Sequence, residues 1–342
     1  VIVGNPPYQM RQEKTSDNPI YHLFIDLAYN LSERAALITP GRFLFNAGKT
    51  PKDWNEKMLN DEHLKVISYY NNSNDVFPGI DIMGGIVITL RDKKQKFEKI
   101  ETFTSYAEIK TVIDKVVDKN FESLSDLIYA PESYRLSKKL HELHPNIAKK
   151  LSKGHLYDLT TNIFNKLPNI FLTEKPKNPS NYIQITGREN NSRVSKWIKR
   201  IYVESHENLE YYKVLVPKSN GSGALGVVIP TALIGVPQIA GKGTGHNQSF
   251  ISIGAFSTKY EAESCMKYIS TKFARLLLGA LKVTQDNKMN VWKFVPMQDF
   301  SNYSKIDWNK TIDEIDKQLF KKYKLSKEEI DFIERMVKSM AE

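Results

Sequence analysis

Apolar residues follow one rhythm over the first hundred positions of this chain and another afterwards. Val1-Ile2-Val3 runs into Gly4 and reads as a buried parallel strand ending at a tight turn. Residues 9–18 are polar and read as a loop. Asn18 is placed to cap a helix opening at Pro19, in which Ile20, Phe24, Leu27 and Leu31 recur on one face. Strands are predicted at 35–40, 64–70 and 82–90, with a helix over 52–62. Strands alternating with helices predict an α/β domain with a doubly wound sheet. Beyond residue 97, helices are predicted at 105–119, where Ile109, Val112, Ile113 and Val116 share a face, and at 131–152. Between 156 and 256 the period falls to two, as in Tyr182-Ile183-Gln184-Ile185-Thr186 and Tyr212-Lys213-Val214-Leu215-Val216. A long helix is expected from Ser257, with Ile269, Phe273, Leu276, Leu277 and Ala280 inward. Two short helices close the chain, and Ser326 with Glu329 forms a capping box for the second.

Composition narrows the class. The chain has 342 residues, 41% of them hydrophobic, which is enough for two globular domains. A single cysteine, Cys265, excludes a disulfide framework and a cysteine-based zinc site, and fits a buried thiol in a reducing cytoplasm. No run of 18 apolar residues points to a membrane. The formal charge is +10, and residues 155–300 hold +8 of it, with 18 basic and 10 acidic side chains. Such concentration is the expected footprint for a polyanion. Arg188, Arg193, Lys196, Lys199, Arg200, Lys218 and Lys242 are expected in its loops, interleaved with Tyr182, Trp197 and Tyr202, a composition suited to double-stranded DNA.

The sharpest chemical signal is Asn5-Pro6-Pro7-Tyr8. Two prolines lock φ and donate no hydrogen bonds, so the turn is rigid and its carbonyls are free to face a ligand. The Asn5 side-chain oxygen and the Pro6 carbonyl could each accept one hydrogen of an exocyclic amine, exposing the nitrogen lone pair. Tyr8 could stack on a planar base rotated out of its duplex.

Around this turn the chain resembles the adenine-N6 DNA methyltransferases. The likeness rests on Asn5-Pro6-Pro7-Tyr8 and the strand before it, then on residues 20–24, residues 36–44, Val76-Phe77-Pro78 and residues 84–89. It covers residues 1–97, and the motif order resembles the methylase and target-recognition part of type IIG restriction-modification enzymes. The resemblance implies the later half of a Rossmann-like methyltransferase sheet over 1–97. A helical connector over 98–154, an α+β DNA target-recognition domain over 155–300 and a helical segment over 301–342 would follow. It implies catalysis by Asn5, Pro6, Pro7 and Tyr8, and Phe77 as a second stacking wall. The donor would be S-adenosylmethionine, with its main binding loop upstream of Val1 in a longer protein. No metal is implied.

Alternatives remain beside this reading. The chain could be a DNA-binding specificity module without activity of its own, or could act on RNA or a protein glutamine. The glycine-rich run over 241–246 could be the cofactor loop of a permuted enzyme. A strand-like Phe250-Ile251-Ser252-Ile253 follows instead of a helix, which favours a recognition loop approaching phosphate. Glu108-Ile109-Lys110 lies on a helix without a preceding Pro-Asp strand and reads as a surface ion pair, so no nuclease site is expected within the chain.

Overall fold

The computed structural model describes residues 1–10, 17–220, 224–226 and 229–340. The amino-terminal part contains β1 (Ile2–Gly4), the short pair β2 (Gln9–Met10) and β3 (Asn18–Pro19), and α1 (Tyr21–Leu31). β4 (Arg34–Pro40), α2 (Lys52–Leu59), β5 (Leu64–Tyr70) and β6 (Ile86–Asp92) follow. Four of these strands form one sheet in the order β1-β4-β6-β5. β1 runs parallel to β4, with Gly4 opposite Leu37, and β6 runs antiparallel to both β4 and β5. Three strands therefore share a direction, and one reversed strand is inserted between two of them. This is a mixed sheet.

Two local expectations change here. β1 is parallel but not buried: it has one neighbour among the described residues, and Val3 remains 78% exposed. Pro19 pairs with Gln9 instead of opening the helix, and α1 starts after Ile20 with no side-chain cap. Of the polar loop over 9–18, residues 11–16 lie outside the described residues. The helix buries Tyr21, Ile25, Ala28 and Tyr29 against Leu37, Phe43 and Trp54. Phe24, Leu27 and Leu31, the periodic stripe seen in the sequence, face outward.

The remainder contains α3 (Ala107–Val116), β7 (Ile128–Tyr129), α4 (Lys138–Leu143), α5 (Ile163–Lys166), β8 (Tyr182–Glu189) and β9 (Ser192–Lys199). β10 (Tyr212–Pro217), β11 (Gln238–Ala240), β12 (Thr244–His246), β13 (Phe250–Phe256), α6 (Lys259–Ser270), α7 (Lys272–Gly279), α8 (Ile312–Lys322) and α9 (Lys327–Met336) complete the described elements. The helix expected over 131–152 shrinks to α4 followed by a 3₁₀ turn at Pro145, because proline cannot extend the helix before it. The long helix splits at Thr271, whose φ of −63° and ψ of 151° end α6 while its hydroxyl caps α7. Its first cap is Thr258, not Ser257, in a capping box with Glu261. Lys110 of α3 has no ion pair with Glu108 among the described residues, whereas Lys115 pairs with Glu329 of α9 at 2.6 Å.

Three larger apolar clusters hold the chain. One lies under the amino-terminal sheet and takes in Ala224 and Val283. A second runs from Tyr134 to Leu209 around the three-stranded sheet β12-β8-β9. The third joins α3 and the sheet β11-β10-β13-β7 to α6, α7, α8 and α9. Core packing thus divides the 98–154 stretch among the three clusters, Ile100 and Phe103 packing on the first, and ties the 301–340 helices to α6 and α7. Three capping boxes set helix starts in the third cluster, including the expected Ser326 with Glu329.

Candidate functional site

β1 and β4 run in the same direction and end together, β1 at Gly4 and β4 at Pro40. An open α/β sheet offers its ligand crevice at the carboxyl ends of its strands. Here that end opens on a cleft of about 710 Å³ lined by Asn5, Pro6, Pro7, Tyr8 and Gln9 on one side. Pro40, Arg42, Gly48, Lys49 and Thr50 line another, and Ile80, Asp81 and Ile82 a third.

Backbone bonds hold these segments in place. The Gly41 N–H donates to the Gly85 carbonyl at 2.9 Å, and the Ile20 N–H donates to the Tyr8 carbonyl at 3.1 Å. Ser73 pins the third side: its hydroxyl donates to the Ile80 carbonyl at 2.5 Å and accepts from the Ile82 N–H at 2.8 Å. Gly84 and Gly85 both have positive φ, +85° and +67°. A Cβ on Gly84 would collide with the Arg42 side chain, and one on Gly85 with the Tyr70 carbonyl. Their bareness lets the Arg42 Nε–H donate to the Met83 carbonyl.

Within the cleft the sequence-predicted groups come together. The Asn5 side chain is exposed and has no hydrogen-bond partner among the described residues, and no backbone bond uses the Pro6 carbonyl there. Both acceptors are therefore available. The Tyr8 ring is half-buried, its hydroxyl is enclosed without a hydrogen-bond partner among the described residues, and burial raises its pKa. Phe77 stands 6.5 Å from Tyr8 with the rings inclined by 63°. The two rings make an edge-to-face pair, and Phe77 supports Tyr8 without being among the residues that line the cleft. Tyr21 also reaches the cleft; burial, opposed by the Thr50 hydroxyl and Arg42, pushes its pKa up to about 12. Residue-type reasoning passed over Arg42 and Lys49. Arg42 lay within the resembling stretch, but a lone arginine after a strand carries no signal of its own.

Four of the seven basic residues assigned to DNA contact lie on strands, not in loops: Arg188 on β8 and Arg193, Lys196 and Lys199 on β9, which pairs with β8 along its whole length; the seven divide by environment. The Arg193 guanidinium donates to Gln238 Oε1 and to the Val236 carbonyl, each at 2.7 Å, and lies over the Phe250 ring. Lys196 pairs with Glu189 at 2.8 Å, and Arg200 pairs with Glu210. Those three have partners inside the protein. Arg188, Lys199 and Lys242 are exposed, with Lys199 over Tyr202 and Lys242 over Tyr212. Lys218 and Arg188 line a second cleft of about 430 Å³. Within the 241–246 run, residues 241–243 turn between β11 and β12 and Thr244–His246 is β12, which pairs with β8 in parallel; no helix opens from it.

Residues 1–77 match the family described as Eco57I restriction-modification methylase. A curated protein of Mycoplasma pneumoniae, described as an uncharacterized adenine-specific methylase, is 32% identical over 91 residues. That match takes in 25% of this chain and 22% of the relative, so the chain spans only a fraction of that protein's length. Among solved structures, the type IIG restriction endonuclease BpuSI overlaps 88% of this chain and 44% of its own, at 8% identity and a TM-score of 0.32. At that score the overlap carries no assignment. In its amino-terminal part the chain resembles adenine-specific restriction-modification methylases.

Proposed function

We propose that this chain carries the catalytic turn and the DNA-recognition part of a site-specific adenine-N6 DNA methyltransferase of a restriction-modification system. The observation that carries the reading is the Asn5-Pro6-Pro7-Tyr8 rim of the cleft where parallel β1 and β4 end, with its two acceptors available. Adenine N6 is a weak nucleophile because its lone pair is delocalised into the ring. Asn5 Oδ1 and the Pro6 carbonyl accept its two hydrogens and draw the nitrogen toward a tetrahedral shape. Tyr8 stacks on the base once it has left the duplex, and Phe77 keeps the Tyr8 ring from turning away.

S-adenosylmethionine is proposed as the methyl donor on the resemblance. No strand-turn-helix glycine loop faces the cleft among the described residues, and the 241–243 turn lies between strands. These residues do not form a cradle for the donor's adenosine and carboxylate, so only the steps on the adenine are derived. Positioning and polarisation of the amine are the contributions this chain makes. The partner is double-stranded DNA, favoured by the charge of residues 155–300.

The test is methyl transfer by the intact protein, read as N6-methyladenine by mass spectrometry of digested duplex DNA. Wild type should form it. Asn5→Ala should lower the rate on the order of 100-fold or more while duplex affinity stays within about threefold. An active Asn5→Ala protein would overturn the catalytic assignment. DNA binding without any transfer by wild type would favour the specificity-module reading.

A further inference from the structure

Four separate segments meet at the second cleft, at the end of β8 and β9 where the hairpin turns, Ser249 ahead of β13 among them. The turn is Asn190-Asn191, with both residues at positive φ, 49° and 61°. The chain before α5 brings Asn162, the helix itself Asn165, and the chain after β10 brings Lys218. Arg188 completes the wall from β8. Four amides and two cations from distant positions thus face one cavity of about 430 Å³.

We propose that this cleft reads base edges of duplex DNA. The inference rests on the DNA-methyltransferase reading and names where its sequence specificity resides. The composition argues for bases over phosphate alone. A phosphate site needs cations and backbone N–H groups, and gains little from four side-chain amides. Asparagine presents a donor and an acceptor in the geometry of adenine N6 and N7, and arginine presents two donors in that of guanine O6 and N7. Arg188, Asn165, Asn190 and Asn191 have no side-chain partner among the described residues, so their hydrogen-bonding capacity is unspent. Glu189, the one carboxylate among the described lining residues, is neutralised by Lys196 at 2.8 Å. Arg193, directly opposite Arg188 across the hairpin, is anchored by Gln238 and the Val236 carbonyl. Two guanidiniums side by side repel, and burial together with Arg188 lowers the Arg193 pKa. An acceptor-rich edge in front of Arg188 relieves that repulsion. A hairpin tip is also the shape that enters a major groove.

The experiment is selection from a random duplex library by the protein, followed by sequencing, for wild type, Arg188→Ala and Asn165→Ala. Both substitutions are on exposed side chains without partners among the described residues, so the fold has little reason to change. The charges outside the cleft stay as they are. Wild type should enrich one sequence. Each cleft variant should lose preference at one or two base positions, by roughly 5- to 150-fold, with the remaining positions retained. Affinity for random duplex at low salt should fall less than about threefold for Asn165→Ala. An unchanged enriched sequence in both variants, no enrichment by wild type, or preference for single-stranded RNA would each overturn the proposal. Because the readout is binding, it is independent of methyl transfer: a motif shift without methylation upholds the cleft and removes the catalytic reading.

Discussion

At the scale of single residues, the geometry separates what the Tyr8 ring does from what its hydroxyl does. That hydroxyl is enclosed and has no partner among the described residues, so it contributes nothing that phenylalanine would lose. Tyr8→Phe should therefore keep methylation within a few-fold of wild type. Tyr8→Ala removes the stacking face, worth about 1–3 kcal/mol per base, and should slow transfer roughly 5- to 150-fold. Single-turnover rates on one duplex compare them; equal losses would mean the hydroxyl, not the ring, is the working group. Gly85 is the matching backbone case. Its φ of +67° and its approach to the Tyr70 carbonyl leave no room for a Cβ. Gly85→Ala should cost on the order of 1–3 kcal/mol of stability, measured by denaturant unfolding.

The element scale is best read on β10. Lys213 sits at its bulge, fully buried, with its ammonium donating to the Thr244 carbonyl at 2.9 Å and the Leu209 carbonyl at 3.3 Å. Burial, opposed weakly by Glu210, lowers its pKa to about 8. The unfolded chain holds that proton up to about 10.4, so the folded form binds fewer protons between the two values. Stability from this group is full above the unfolded value and is lost as pH falls toward 8. The protein should then grow more stable from pH 8 to pH 9, and Lys213→Met should flatten the rise. Lys282, whose pKa burial also lowers to about 8, acts in the same direction and should leave part of the slope in the variant. The buried Cys265 thiol, raised by burial, opposes both above about pH 9, which is why the window ends there. Midpoints of urea unfolding across this window check the sign; a slope unaffected by Lys213→Met would contradict it.

Over the whole molecule, charge and apolar surface each make a prediction. Arg188, Lys199, Lys218 and Lys242 are the cations of the seven assigned to DNA whose side chains have no hydrogen-bond or ion-pair partner among the described residues. With Arg188 facing a base edge, replacing Lys199, Lys218 and Lys242 with alanine should lower the salt slope of duplex binding by up to about three, roughly one for each phosphate left without its cation. The same treatment of Arg193, Lys196 and Arg200 should act mainly on stability, since their partners are internal. The other feature is the outer face of α1 beside the edge strand β1. Leu27 and Leu31 are 52% and 71% exposed, next to a strand with one neighbour among the described residues, and such surfaces recruit further polypeptide. Leu27→Glu with Leu31→Glu should reduce hydrophobic-dye binding and self-association, followed by fluorescence and light scattering, with the melting midpoint moved by no more than a few degrees.

The strand at 64–70, the strand opening at Tyr182 and the capping box of Ser326 with Glu329 could be read directly from the chain, whereas β9, the partner of the Tyr182 strand, stood in a stretch expected to be loop. Their causes are local: side-chain period, β-branched residues and a cap three residues from its partner. Asn5-Pro6-Pro7-Tyr8 was equally readable, because proline rigidity and residue chemistry need no distant neighbour to be recognised. Other features were decided by packing. Phe24, Leu27 and Leu31 have the same helical spacing whether they face a core or solvent, and here Tyr21, Ile25, Ala28 and Tyr29 take the buried face of α1 instead. The reversed β6 between β4 and β5 depends on pairing between distant segments, which period alone does not encode. Arg193, Lys196 and Arg200 look like Arg188 in a charge count; the carbonyls and carboxylates beside them in space commit them to the fold and leave Arg188 at the mouth of a cleft. Local chemistry was written in the sequence, and its allocation to core, surface or site required the neighbours that folding brings.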